Sequence, residues 1–237
     1  MTILVLLPGM DGTGSLFAPF LSACSREWET LVIAYPTDRA LNYRELEAWV
    51  IAQLPRGRPF VVVAESFSGP VGIALGAAAP TGMVGLVLCC TFARNPRRLA
   101  GNFKGLLPIL PIKFLTAKMY FLARRWLFGR FATRELDATL LKSLGAVPAA
   151  VLRARLLAVA EVDYRHLLAK LAMPVLYLRA REDRIVPSSA MDALARAVPH
   201  MEVASLSGPH LLLQAAPHAA VQAIDKFVRS LPSSAIK

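Results

Sequence analysis

Residues 59–79, PFVVVAESFSGPVGIALGAAA, decide the fold. The run from Phe60 to Val63 is apolar and β-branched, as a strand covered on both faces requires, and the alanine-rich tail from Gly69 reads as a helix. Between them stands Ala64-Glu65-Ser66-Phe67-Ser68, a serine with small side chains two residues before and two after it. Holding a serine on a strained strand-to-helix turn demands that lack of bulk. A helix starting just beyond Ser66 aims the Phe67 N–H, together with the helix dipole, at any negative charge that forms there. The plainer reading of the same residue is a helix N-cap, a position that serine favours.

A nucleophilic serine needs a base and an acid to orient that base, both arriving on loops at the same edge of the sheet. PVLYLRA (174–180) runs into Arg181-Glu182-Asp183, and MEVASL (201–206) runs into Ser207-Gly208-Pro209-His210. The chain order is therefore Ser66, Asp183, His210. Among the histidines only His210 follows the last predicted strand: His166 lies in a helical stretch, His200 precedes a strand and His218 opens the final helix. Glu182 is the nearest competitor of Asp183, whereas Asp163 precedes a strand rather than following one. No H-x-x-x-H spacing or His/Cys cluster occurs, so neither a metal nor any other cofactor is expected.

Working outward, five further β-rich runs accompany the strand at Phe60: ILVLLP, TLVIAYP, MVGLVLCC, PVLYLRA and MEVASL. Amphipathic segments such as YRELEAWVIAQL, with Leu46, Trp49, Val50 and Leu54 on one side, supply crossover helices. The prediction is an α/β fold, a doubly wound and mostly parallel sheet of about six strands. A chain of 237 residues, 55% of them hydrophobic, suits one such core. More than eighty residues separate MVGLVLCC from PVLYLRA, far beyond an ordinary connection. Residues 1–91 and 156–237 are accordingly assigned to the core, and 92–155 to a helical cap inserted over its carboxyl edge.

Charge singles out the same insertion. It holds thirteen Lys and Arg against only Glu135 and Asp137, which accounts for the whole net charge of +11. A basic, apolar segment permits weak contact with an anionic membrane surface or an acidic ligand. No nucleic-acid motif accompanies the charge, so nucleic acid is not an expected partner. Phe121, Leu122, Trp126 and Phe128 at helical spacing suit packing of the cap on the body. Phe121 and Trp126 are also candidates to line an apolar substrate pocket, and Arg124, Arg125 and Arg130 lie close by in sequence. Cys24, Cys89 and Cys90 are too few and too badly placed for a disulfide framework. With no basic leader before TILVLLPG and no long uncharged apolar run, a cytoplasmic location is expected.

The first predicted strand ends in VLLPGMDGTGSLF (5–17). Gly9 and Gly14 match the outer glycines of a phosphate-binding loop, but Ser15 occupies its lysine position, and the dinucleotide spacing G-x-G-x-x-G is not met. Asp38 after the second strand is too weak a sign of ribose binding on its own. Asp11-Gly12 is ordinary turn chemistry, so Asp11 either shapes the turn or contacts substrate together with Gly9.

On Ser66, Asp183 and His210 in this order, each at a strand end, the sequence resembles the α/β-hydrolase superfamily across essentially the whole chain. LPGMDGTG together with AESFSGP is most similar to small bacterial serine hydrolases and to the hydrolase-like parts of plant ester synthases. Ala64 and Ser68 replace the family's usual glycines around the serine, and the chain starts at what resembles the family's third strand, without the antiparallel hairpin before it. The resemblance implies acyl transfer, with Ser66 as nucleophile, His210 as base and Asp183 as its orienting acid. The N–H groups of Met10 and Phe67 would form the oxyanion hole, each donor typically worth about 3 kcal/mol. The implied substrate is a small-molecule carboxylic ester or thioester with an apolar acyl group. The alternatives are an acyltransferase or ester synthase using the same triad, and a non-catalytic protein that binds membrane surfaces.

Overall fold

The computed structural model describes residues 2–24, 28–96 and 124–232. Six strands occur where the apolar runs place them: β1 (Ile3–Leu7), β2 (Glu29–Val32), β3 (Phe60–Glu65), β4 (Met83–Cys89), β5 (Val175–Ala180) and β6 (Glu202–Leu206). They form one sheet in the order β2-β1-β3-β4-β5-β6, with every neighbouring pair parallel.

Alternation along the central strands explains why they are apolar throughout. Ile3, Val5 and Leu7 of β1, with Phe60, Val62 and Ala64 of β3, face a core layer that includes Leu46, Val50, Val71, Ile73, Leu75 and Leu194. Those residues belong to helices α2 (Tyr43–Ile51), α3 (Gly69–Ala78) and α6 (Ser188–Ala197). The intervening Leu4, Leu6, Val61 and Val63 face the opposite layer, where Phe20, Ile224, Phe227 and Val228 pack. There the cover is α1 (Ala18–Ala23), α7 (Leu212–Ala215) and α8 (Pro217–Ser230). Both faces of β1, β3 and β4 exclude water, so these strands have no room for polar alternation, whereas the edge strands β2 and β6 are partly exposed. Helix α2 starts at a capping box: the Glu45 N–H donates to Asn42 Oδ1 at 3.1 Å and the Asn42 N–H to Glu45 Oε2 at 2.7 Å.

The sheet order reverses direction between β1 and β3, which are hydrogen-bonded neighbours with Leu7 opposite Ala64. A crevice at the carboxyl ends of strands is expected where such an order reverses. The turn after β1 therefore lies beside the turn carrying Ser66, although 56 positions separate Met10 from Ser66.

The described part of the insertion contains α4 (Arg134–Gly145) and α5 (Ala149–Glu161). Its two ends are tied at a neck, where Arg94 and Asp163 form an antiparallel bridge and the Tyr164 N–H donates to the Ala93 carbonyl at 2.8 Å. Helix α5 runs unbroken across the 155/156 division. Leu140 of α4 and Phe128 pack on Leu16 and Leu211, seating this part of the insertion on the turns that follow β1 and β6. Among the described residues no single helix is long and apolar enough to cross a membrane.

Candidate active site

Ser66 begins directly where β3 ends, in a short 3-10 turn (Ser66–Ser68) that leads into α3. Its φ is +49°, a left-handed conformation that costs a non-glycine residue on the order of 1 kcal/mol or more. Surrounding contacts hold it there. The Thr91 hydroxyl donates to the Ser66 carbonyl, and the Thr91 backbone is fixed by Tyr177, whose hydroxyl accepts from its N–H at 3.0 Å and donates to its carbonyl at 2.9 Å. Gly69 lies flat against Thr91: a Cβ there would stand 2.6 Å from Thr91 Cγ2 and 2.7 Å from its Cβ. Ser68, fully buried, donates to the Pro8 carbonyl and accepts from the Tyr35 hydroxyl, tying the serine turn to the turn after β1.

His210 and Asp183 reach the same point from β6 and β5. The loops that carry them pair through backbone bonds, Arg181 N–H to the Leu206 carbonyl at 2.9 Å and Glu182 N–H to the Gly208 carbonyl at 3.0 Å. Asp183 Oδ1 accepts from the N–H groups of Ile185 and Val186 at 2.8 and 2.9 Å, which fixes the carboxylate. His210 Nδ1 lies 2.9 Å from Asp183 Oδ2 and 3.0 Å from Oδ1, and His210 Nε2 lies 2.8 Å from Ser66 Oγ. A carboxylate only accepts, so Nδ1 carries the proton and Nε2 is left to accept from the serine hydroxyl. Both side chains are nearly sealed from solvent, at 3% exposure for His210 and 9% for Asp183.

His200 and His166, and the competing acids Glu182 and Asp163, are engaged elsewhere. His200 Nε2 is 3.0 Å from the Met173 carbonyl, and His166 meets the Tyr164 ring edge-on. Glu182 pairs with Arg130 at 3.1 Å, and Asp163 pairs with Arg94 and Arg165 at the neck.

Met10 and Phe67 face one cavity of about 240 Å³ that also contains Ser66, with Phe92, Leu156, Val159 and Ile185 among its apolar walls. The Gly9–Gly12 turn is closed by the Gly12 N–H donating to the Gly9 carbonyl at 3.0 Å. Asp11 is 3% exposed, and its Oδ2 accepts from the Thr13 N–H at 3.0 Å and from the Thr13 hydroxyl. Its carboxylate thus shapes the turn, and neither Gly9 nor Asp11 lines the cavity. Trp126, at 40% exposure, does not line it either, and Phe121 lies outside the described residues. Phe128 is fully buried against Leu16 and Leu211, as the packing reading of the cap aromatics expects.

Sequence reasoning missed two ionisable groups at this edge. Glu65, one residue before the serine, is 1% exposed. Burial pushes its carboxyl up to about 8; the Gln214 amide, 3.2 Å away, opposes the rise and the Asp11 carboxylate adds to it. Arg155 of α5 is 2% exposed and bonds to backbone carbonyls of the turns after β1 and β2.

The sequence profile of the alpha/beta hydrolase family matches residues 4–223. The chain belongs to that family. No curated protein sequence matches it significantly. Among solved structures, this alpha/beta hydrolase is similar to an esterase from Exiguobacterium antarcticum, with 14% identity over 97% of this chain and 92% of the other, at a TM-score of 0.85. A thermophilic esterase from Thermogutta terrifontis covers 100% of this chain and 91% of its own, with 20% identity and a TM-score of 0.79. A hydrolase from Pseudomonas aeruginosa PA01 shares 20% identity over 96% of this chain and 89% of the other, at a TM-score of 0.78. At such identities the likeness is one of fold.

Proposed function

We propose that this alpha/beta hydrolase is a serine hydrolase acting on a carboxylic ester or thioester with an apolar acyl group. The observation that carries the reading is the continuous line of hydrogen bonds from Ser66 Oγ through His210 to Asp183, 2.8 Å and 2.9 Å long. His210 Nε2 takes the hydroxyl proton as Ser66 Oγ attacks the carbonyl carbon, and Asp183 stabilises the imidazolium that results. The carbonyl oxygen, now an anion, is held by the Met10 and Phe67 N–H groups, the latter at the head of the turn leading into α3. Collapse expels the alcohol or thiol, which takes the proton from His210. Water, deprotonated by the same histidine, then attacks the acyl-enzyme, and the acid leaves as Ser66 regains its proton.

Substrate class rests on the walls of the cavity: apart from Asn95 and the reacting Ser66 hydroxyl the lining side chains are apolar, which suits an acyl chain better than a polar ligand. Two of the similar structures are esterases, which agrees with this reading. A cytoplasmic location belongs to the same proposal and is supported by the three unpaired cysteines, Cys24, Cys89 and Cys90.

The test is turnover of a p-nitrophenyl ester series. Ser66→Ala is expected to lower kcat by roughly 10⁴-fold or more without unfolding the protein. Retention of activity within about tenfold would sink the proposal. Adding a long-chain alcohol separates hydrolysis from acyl transfer, since hydrolysis yields the free acid and no new ester.

A further inference from the structure

Arg155 occupies an uncommon position for a cation. It projects from α5 in the insertion, is 2% exposed, and is compensated chiefly by backbone carbonyls. Nη1 donates to the Met10 carbonyl at 3.0 Å and to the Asp11 carbonyl at 2.6 Å, and Nη2 to the Pro36 carbonyl at 3.0 Å. The Asp11 carboxylate supports its charge against desolvation, and the guanidinium carbon lies 5.9 Å from the centre of the Tyr35 ring.

Gly12 is shaped for this contact. Its φ of +67° favours glycine, and a Cβ there would stand 2.5 Å from Nη1 and 2.7 Å from Cζ. The guanidinium therefore rests on a bare stretch of backbone in the same turn as Met10, the proposed oxyanion donor. One nitrogen spans two consecutive carbonyls, which fixes the planes of the peptides on either side of Asp11. The Met10 N–H belongs to the peptide immediately before them.

We propose that Arg155 is a positioning residue that aligns the Met10 N–H for the oxyanion and makes that alignment depend on the seating of α5. The same helix contributes Leu156 and Val159 to the cavity over Ser66, so one rigid element both walls the acyl site and latches the oxyanion turn. An acyl chain that packs well against α5 thereby keeps the turn in its productive shape. This inference rests on the serine hydrolase reading above.

The experiment compares Arg155→Met, Arg155→Lys and Arg155→Ala with wild type, using p-nitrophenyl ester kinetics, n-butylboronic acid as a mimic of the tetrahedral adduct, and thermal melting. Displacing an oxyanion donor weakens the transition state more than the ground state. The expected result is a kcat lower by on the order of 10²-fold, KM within about threefold, and boronic acid affinity weakened in step with kcat. Arg155→Lys keeps a buried cation but lacks the planar fork, so it is expected to stay folded and still lose kcat. Guanidinium chloride at low millimolar concentration should restore part of the kcat of Arg155→Ala, and none of that of Arg155→Met, whose side chain fills the space. Folded variants whose kcat and boronic acid affinity both stay within about threefold of wild type overturn the proposal, as does a loss confined to thermal stability. Ser66→Ala run in parallel separates the two levels. Undiminished turnover there overturns the hydrolase reading, whereas a dead Ser66→Ala beside fully active Arg155 variants overturns the Arg155 inference alone.

Discussion

Replacing Glu65 by glutamine should stabilise the protein, and by more as the pH rises. The Glu65 carboxyl is sealed beneath the serine turn at 1% exposure, with its Oε2 bonded to Gln214 and its Oε1 unpartnered. Burial, the largest influence, moves it from an ordinary 4.5 to about 8 in the folded protein. In the unfolded chain it ionises near its ordinary value. Between those two values the unfolded state has released a proton that the folded state keeps, so rising pH favours unfolding by up to about 1.4 kcal/mol per pH unit. Below the lower value both states are neutral and nothing is lost; above the upper value both are ionised and the loss is complete. The full interval amounts to roughly 5 kcal/mol, or roughly 10 °C in Tm for a chain of this length. Glutamine matches the neutral acid in shape, can keep a hydrogen bond with Gln214 and has no proton to lose. Thermal melts of Glu65→Gln and wild type across this range, followed by circular dichroism, isolate the effect, because groups common to both cancel in the difference. The gap in Tm is expected to widen by roughly 10 °C between pH 5 and pH 8.5. A gap constant to within about 2 °C would refute the reasoning, since Glu65 would then titrate alike in both states.

Three further outcomes are expected. Asp183→Asn leaves the histidine favouring the wrong tautomer, so kcat should fall by roughly 10⁴-fold while circular dichroism stays native; a loss below about tenfold counts against its role. Gly69→Ala would ordinarily gain up to about 1 kcal/mol in a helix. Here the added methyl meets Thr91, which braces Ser66, and the clash should win, destabilising by about 1–3 kcal/mol in urea titration; a stabilised variant would contradict the close approach. Val159→Phe should fill part of the cavity and shift the preferred p-nitrophenyl ester toward shorter chains, and an unchanged chain-length profile would place the acyl group elsewhere.

The sheet was legible because of one physical circumstance. Strands buried on both faces must be apolar throughout, and ILVLL, FVVVAE and MVGLVLC cannot be mistaken for amphipathic surface. The positions of Ser66, Asp183 and His210 were legible for a related reason: Ser66 and Asp183 each follow such a run, His210 follows the more exposed edge strand β6, and in a parallel sheet all such points share one edge. Glu65 and Arg155 were not legible in this way. A charged residue in sequence implies solvent until tertiary structure encloses it, and what encloses these two, Gln214 for one and the Met10 and Asp11 carbonyls for the other, lies more than 140 positions away. Asp11 illustrates the converse. Its Asp-Gly context signals a turn, and its hydrogen bonds to Thr13 follow from that local chemistry rather than from substrate contact. Trp126 sits at a spacing that suits either packing or pocket lining, and the pattern alone held no means of choosing between them.

Labelling with a fluorophosphonate probe tests the central claim most directly. The proposed roles of Ser66, His210 and Asp183 predict one phosphonyl group per chain, mapped by mass spectrometry to the peptide carrying Ser66, and none on Ser66→Ala under the same conditions. A wild-type protein that stays unlabelled, or a Ser66→Ala variant labelled as fully as wild type, would contradict it.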